Sequence, residues 1–361
     1  MAADAVVVVD WGSHSLKAGL ASQARPQAEL QRPLGVGALA CGTDEIAQLC
    51  QDLEDRLGTK VAGRTVVVGV PVTAPRQARE DFAQAIFEHL GAKAAFVGST
   101  AFLSALGAGL STALVIDIGE AGACVVPVED GFPLASCITR GTIGGAFLSD
   151  AMAGMMQEAS LQLPEGAEWP IAGRLAKEHL AYVAPDFDQE MQRLRGGMLN
   201  PRRCNLPSGC SFESLHGEGF RCAELLFGTS SSSNSGNLQQ TPLCKLASPE
   251  EAIPELIMSA LRLQSKINLR GTLLDGLLLA GGTSKLPGLP ERLLHEVRSR
   301  SPWVAPGKKP EEVQLHAPPE REHLAWLGGA SLAECDVLRQ LWTTKSDFQE
   351  HGARAVHRRF M

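Results

Sequence analysis

No run of lysine or arginine in the 361 residues is long enough to track a phosphate backbone, which argues against a nucleic-acid stripe. The short basic cluster Arg354, His357, Arg358 and Arg359 reads as solvated surface. No CxxC occurs, and Cys204 and Cys210 have no companion His/Cys pair at zinc spacing. No GxxxxGK[ST] loop is present, so a Walker-type phosphate site is excluded. No stretch approaches the roughly 18 apolar residues of a membrane span, and the first residues lack a positive region ahead of an apolar one. The expectation is a soluble, intracellular protein that contacts neither nucleic acid nor membrane directly.

What is present fits an ordinary globular chain. The hydrophobic share is 44%, the charged share 20% and the net charge −7. A length of 361 residues exceeds one usual compact domain, so two lobes or one lobe split by insertions are expected. The cysteines number nine and are scattered, which reads as reduced thiols in a reducing compartment.

Strand signals fall at Ala5–Val9, Thr65–Val70, Ala113–Ile116, Ala123–Val128 and Gly276–Leu279. Helical patterns lie between them. Thr43, Asp44 and Glu45 open one whose apolar stripe is Ile46, Leu49, Cys50, Leu53 and Leu57. Pro75–Leu90 carries Phe82, Ile86 and Leu90 at intervals of four. Ser248 and Glu251 have the spacing of a capping box, although Pro254 argues for a late start or a bend. Gly281 and Gly282 read as a turn leading into a helix over Pro290–Val297. Alternating strands and helices predict an α/β architecture. The TSSSSNSG stretch, 229–236, reads as a flexible surface loop.

One internal repeat stands out. VVVVDWGSHS near the start and ALVIDIGEAG at 113–122 share a plan: an apolar run, Asp, any residue, Gly, small residues, then a second apolar strand. Both read as hairpins whose turn amides can form an anion nest. Asp10 and Asp117, at the strand ends, can hold a hydrated Mg²⁺ that bridges phosphates, and Lys17 can reach the same oxygens. The bland alternative is that Asp-x-Gly merely makes a hairpin turn; its repetition favours the functional reading. GVGALA at 35–40 fits GxGxxG/A on paper but follows no strand and opens no clear helix. GLLLAGGTSKLPG, 276–288, adds a buried strand and a Gly pair that lets backbone approach a flat ligand.

Together these motifs resemble the actin family. DWGSHSLKAG is similar to its first phosphate hairpin, VIDIGEAG to its second and LAGGTSKLPG to its adenosine-binding stretch. GFRCAELLF (219–227), LAYVAPDFDQEM (180–191), APPEREHLAWLGGASLA (317–333) and AVHRRF (355–360) resemble further family signatures, in the family's order. The resemblance implies the actin-like ATPase fold, with ribonuclease H-like duplicated lobes around a cleft that holds ATP or ADP with Mg²⁺. It implies a first lobe from 1–109 and 324–361, a second from 110–143 and 250–323, and a small upper subdomain from 144–249. Carried over residue by residue, the nucleotide contacts fall on Gly12, Ser13, Leu16, Lys17, Gly119, Gly145, Lys177, Glu178, Gly281, Gly282, Thr283 and Lys285. Asp10 and Asp117 face the metal through water.

Departures from the family pattern matter as much. His14 stands where the hairpin's glycine belongs, crowding the γ-phosphate and disfavouring a left-handed turn. Thr100 replaces the water-positioning Gln, Cys124 the second loop's His and Glu120 its second Asp, so the hydrolytic apparatus looks dismantled. Glu322 and Leu286 replace a lysine and a tyrosine beside the adenine. The interval between Ala21 and Thr65 is too short for the family's small outer subdomain, whose loop inserts into the next filament subunit.

The expected function is therefore a diverged actin-like protein, a non-hydrolysing or weakly nucleotide-binding cytoskeletal or scaffold component. No catalytic residue is assigned, Thr100 and Glu120 being the substitutes at the hydrolytic positions. One alternative is a slow Mg-dependent ATPase or small-molecule kinase with Glu120 as its base; another is a polymerising cytoskeletal subunit. The expected state is a monomer or a member of a hetero-complex in the cytoplasm and cytoskeleton, with the nucleus as the other compartment. An amphipathic partner helix would dock near Ala330–Leu332.

Overall fold

The apolar run that ends on Asp10 forms β1 (Val7–Trp11), which pairs antiparallel with β2 (Ser15–Leu20). The latter pairs antiparallel with β3 (Ala28–Gln31). β4 (Thr65–Val70) lies parallel to β1, and β5 (Ala94–Ser99) parallel to β4. The strand Thr343–Thr344 closes the far edge of this sheet, beyond β5. The computed structural model describes residues 5–32, 42–206, 209–228 and 248–358, so the GVGALA and TSSSSNSG stretches lie outside the described residues.

The valine run Val6–Val9 leads into a strand here because neither sheet face is wet. Val7, Val9 and Trp11 join a cluster with Ile46 and Leu53 of the helix Thr43–Leu57 and with Phe82 and Ile86. Val6 and Val8 join a second cluster, with Phe96, Leu103 and Trp326, on the opposite face. A strand covered on both sides loses its polar alternation and reads as a continuous apolar run. The Trp326 indole N–H donates to the Val8 carbonyl at 3.2 Å, which satisfies the one polar atom of that buried ring.

The remaining strands are β6 (Ala113–Ile118), β7 (Ala123–Glu129), β8 (Phe132–Pro133), β9 (Thr139–Gly141), β10 (Arg202–Asn205), β11 (Ser211–Ser214), β12 (Leu277–Ala280) and β13 (Leu315–His316). A second sheet has the order β13, β12, β6, β7, β8, with β9 beside β7, while β10 and β11 form a separate hairpin. The architecture is α/β. The chain divides into two compact units, Met1–Val115 with Val128–Leu134 and Pro318–Met361, and Ile116–Pro127 with Ala135–Ala317.

Two helical expectations change in detail. The segment from Pro75 is an α-helix only over Arg76–Gln84 and widens to a π turn at Ala85–His89. Phe82, Ile86 and Leu90 are buried as their spacing suggested. The capping box at Ser248 does not close. Ser248 Oγ accepts from the Glu250 N–H at 3.3 Å, while the Glu251 carboxylate turns to Thr142, accepting from its N–H at 2.7 Å and its hydroxyl at 2.6 Å. A distant donor pair outcompetes the local one, leaving a 3-10 turn at Pro249–Glu251 and a helix that starts at Ile253 with Pro254 in its first turn. Among the described residues no helix is long and apolar enough to cross a membrane, and the seven described cysteines are free thiols.

Candidate functional site

In the first unit the acid-tipped hairpin forms a charged row across three strands. Asp10 on β1 stands directly opposite Lys17 on β2, which stands opposite Glu29 on β3. Directly paired residues share a face, so one ammonium lies between two carboxylates. Burial pushes the Asp10 carboxyl above its ordinary value; the Lys17 charge opposes this and the Glu29 charge adds to it. Lys17 Nζ also donates to the Glu322 carbonyl at 2.6 Å. Glu29 escapes a reading of the hairpin alone, because β3 carries no clear strand signal; its contact with Ser15 Oγ and the bond from Arg56 Nη1 to its carbonyl at 2.9 Å hold it in the row.

The turn itself differs from the expected nest. Gly12, Ser13 and His14 all have negative φ, so a histidine at the third position meets no conformational conflict. Gly12 is needed for space, since a Cβ there would stand 2.7 Å from the Ser15 carbonyl oxygen. The Leu16 side chain is fully buried in the core, which leaves only its backbone for a ligand. On the other flank Asp10 is in register with Gly69 of β4, and Thr100, 9% exposed at the first position of the helix Thr100–Gly107, packs beside Gly69. Asp10, Lys17 and Thr100 thus meet near the carboxyl ends of β1 and β4, where open α/β sheets place their sites. Ala330 and Leu332 are buried within this unit's own core.

The second unit builds a denser site at the carboxyl ends of β6 and β12. Asp117 lies near the end of β6, and Gly281 follows β12 with φ 84°. A Cβ on Gly281 would sit 2.4 Å from Asp117 Oδ1 and 2.5 Å from the Ile118 carbonyl oxygen, so conformation and space both require glycine. Gly145 opens the helix Gly145–Glu158 by donating to the Gly119 carbonyl at 2.8 Å, and Ala146 donates to that of Glu120 at 2.9 Å. Thr283 Oγ1 donates to the same Gly119 carbonyl at 3.1 Å. A Cβ on Gly145 would stand 2.4 Å from Glu120 Oε2 and 2.8 Å from Thr283 Oγ1. The second hairpin, the helix start and the Gly281 turn therefore converge on one small volume.

Charges line that volume. Lys177, 7% exposed on the helix Trp169–Leu180, donates to the Gly145 carbonyl at 3.0 Å. Burial lowers its ammonium from the ordinary range, with Glu120 as the strongest opposing charge. Arg174 Nη2 lies 3.7 Å from Glu120 Oε1, too long for a hydrogen bond, and both atoms are sealed from solvent without hydrogen-bond partners. Asp150, exposed on the same helix as Gly145, is raised from its usual value by partial desolvation, then by the Glu120 charge. Burial, then the Asp117 charge, pushes the Cys124 thiol up to about 12, so it stays protonated at neutral pH.

Of the residues singled out in the sequence, Asp117, Gly119, Glu120, Gly145, Lys177, Gly281 and Thr283 meet here. Glu178, Gly282 and Lys285 are exposed beside them. Arg174 and Asp150 join the site unannounced. No local pattern in the sequence marked either, although Arg174 lies one helical turn before Lys177. Comparison with known families adds an independent line: the family model for actin matches residues 43–167 and 172–361, which takes in every residue of this second site.

Proposed function

The chain belongs to the actin family, and from that premise we propose that it is a diverged member that holds Mg-ADP or Mg-ATP without turning it over. It acts as a cytoskeletal or scaffold subunit rather than as an enzyme.

The second unit supports the ligand class. Gly281 presses bare backbone against Asp117, and Glu120 Oε1 and Arg174 are buried polar groups without hydrogen bonds. A glycine-lined cradle with unsatisfied polar atoms suits phosphate or ribose oxygens. Asp117 would hold the hydrated cation, the backbone around Gly281 and Gly282 would face the nucleoside, and Lys177 would supply a buried positive charge. A bound Mg-nucleotide would contribute a divalent charge and phosphate oxygens to that cradle.

The observation that carries the loss of turnover is Thr100. It is 9% exposed and packed beside Gly69, so its short hydroxyl cannot reach out to orient an attacking water. Cys124, protonated up to about 12, is no acid–base group at neutral pH, and Glu120 already faces Arg174 and Lys177.

The test is to denature the purified full chain, quantify released adenine nucleotide and follow phosphate release from Mg-ATP. The expected result is retained nucleotide or thermal stabilisation by Mg-ADP of about 2.7 kcal/mol at roughly 100 times Kd, with no phosphate release above background. Phosphate release that scales with protein and disappears in Glu120→Gln would overturn the non-hydrolysing reading. A chain that carries no nucleotide and gains no stability from Mg-ADP or Mg-ATP would overturn the binding reading.

A further inference from the structure

Two buried glutamates begin and end one short helix of the second unit, Glu218–Glu224, and only the first meets donors at ordinary distances. Glu218, 2% exposed, accepts from the Ser214 hydroxyl at 2.8 Å and from the His216 N–H at 3.0 Å. Glu224, 3% exposed, accepts at Oε1 from Arg292 Nη2 at 3.4 Å. Its Oε2 is sealed from solvent and has no hydrogen-bond partner. A carboxylate buried with one bare oxygen is costly when ionised and far less so when protonated.

Arg292, on the helix Leu289–Val304, does not serve Glu224 alone. Its Nε donates to Glu296 at 2.9 Å and its Nη1 to the Ala184 carbonyl at 3.0 Å, and its guanidinium lies 4.9 Å from the centre of the Phe227 ring. Those contacts hold it whether or not Glu224 is charged. Glu296 on the same helix, and Asp188 on the helix Phe187–Arg195, repel a negative Glu224. On Glu224's own helix Arg221 donates to the His216 carbonyl at 3.4 Å, and the 3-10 turn Leu225–Phe227 that follows carries no charge. The helices Gly145–Glu158 and Trp169–Leu180, packed on the same helix, bring Asp150, Arg174 and Lys177, whose charges couple to Glu120. Burial, opposed by Arg292 and reinforced by Glu296 and Asp188, raises the Glu224 carboxyl from 4.5 to about 7.

We propose that Glu224 is a proton-operated latch that seats the end of the helix Glu218–Glu224 against the helix Leu289–Val304: as a neutral acid it stays buried, and as an anion it drives that end toward water. The closed chain binds this proton more tightly than the opened one does, so the latch is tightest below 4.5. From there to about 7 each pH unit makes opening at most about ten-fold easier, and the trend levels off above 7, where both states are ionised. The start of the helix stays fixed by Glu218, and its middle by Cys222, whose Sγ donates to the Leu148 carbonyl at 3.2 Å, so the opening is local.

The test is hydrogen–deuterium exchange of the full chain from about pH 5 to 8, read by mass spectrometry in a peptide covering residues 218–228 and corrected for the intrinsic rate at each pH. Protection is expected to fall by at most about ten-fold per pH unit up to about 7 and to stay constant above it, with no such fall in Glu224→Gln. Glu296→Gln removes a repelling charge at a partly exposed position and should move the levelling point to lower pH, which keeps the latch testable where Glu224→Gln does not fold. Protection independent of pH, a fall that survives Glu224→Gln, or a levelling point indifferent to Glu296→Gln would each overturn the proposal. So would an equal fall in the helix Ile267–Asp275 of the same unit, since the whole unit would then be opening.

Discussion

The hairpin of β1 and β2 turns through Gly12, Ser13 and His14 without a left-handed residue, whereas the turn between β6 and β7 passes through Gly122 at φ 153°. In the first, the strand-end acid is balanced along the ladder by Lys17, which stands between Asp10 and the opposing charge of Glu29. In the second, the acid is shaped by backbone, with Gly281 pressed against Asp117 and Gly145 against Glu120. One sequence plan therefore has two physical solutions. The first depends on side-chain charge and tolerates a histidine in its turn; the second depends on missing side chains and tolerates little.

Substitutions at the two places should separate these solutions. Gly281→Val adds a branched side chain at φ 84° where even a Cβ would stand 2.4 Å from Asp117 Oδ1, and should destabilise by about 3 kcal/mol in urea unfolding. A loss below about 1 kcal/mol would mean that the second site is as pliable as the first. Lys17→Met leaves Asp10 and Glu29 facing each other across an apolar side chain, and should cost about 2 kcal/mol. The matching change in the second site, Arg174→Met, should cost only about 1 kcal/mol, because Lys177 still faces Glu120. The reverse ranking would break the comparison.

The two sites should also respond oppositely to pH. Asp10 is raised from 3.8, so the folded chain binds its proton more tightly than the unfolded chain does. Its contribution to stability is therefore greatest below 3.8 and falls as pH rises through the window above that value. Lys177 is lowered from 10.5, so the unfolded chain holds the proton longer, and stability rises with pH in the window just below 10.5. Each slope should be no steeper than about 1.4 kcal/mol per pH unit. Denaturation midpoints across pH should show the acid-side slope flattened by Asp10→Asn and the alkaline slope by Lys177→Met. The smallest effect belongs to His14→Gly, expected to cost under about 1 kcal/mol in the same unfolding assay, since His14 already has a permitted negative φ. A large gain in stability would show that the histidine strains the turn.

Much of the fold was legible because burial on two faces writes itself as apolar runs. Thr65–Val70 and the helix from Thr43 lie where the pattern put them, and the two hairpins face the reader as Asp-x-Gly after four apolar residues. β3 was not legible: AELQ has one buried residue of four and is a strand because β2 offers it an edge. Ser248 and Glu251 misled in the opposite direction, since a good local cap lost to Thr142. In the site, the glycines and Asp117 carried their own signal, but Arg174 and Asp150 did not. An arginine in one helix and an aspartate in another become site residues only through what Glu120 faces.

By itself the sequence determined the buried central strands, where the acids stand and which positions must lack a side chain, because periodicity, strand ends and glycine are local properties of the chain. The tertiary structure alone decided which charges meet. Glu29 beside Lys17 and Glu120 against Arg174 are contacts between separate elements, and the surroundings there set both their cost and their chemistry.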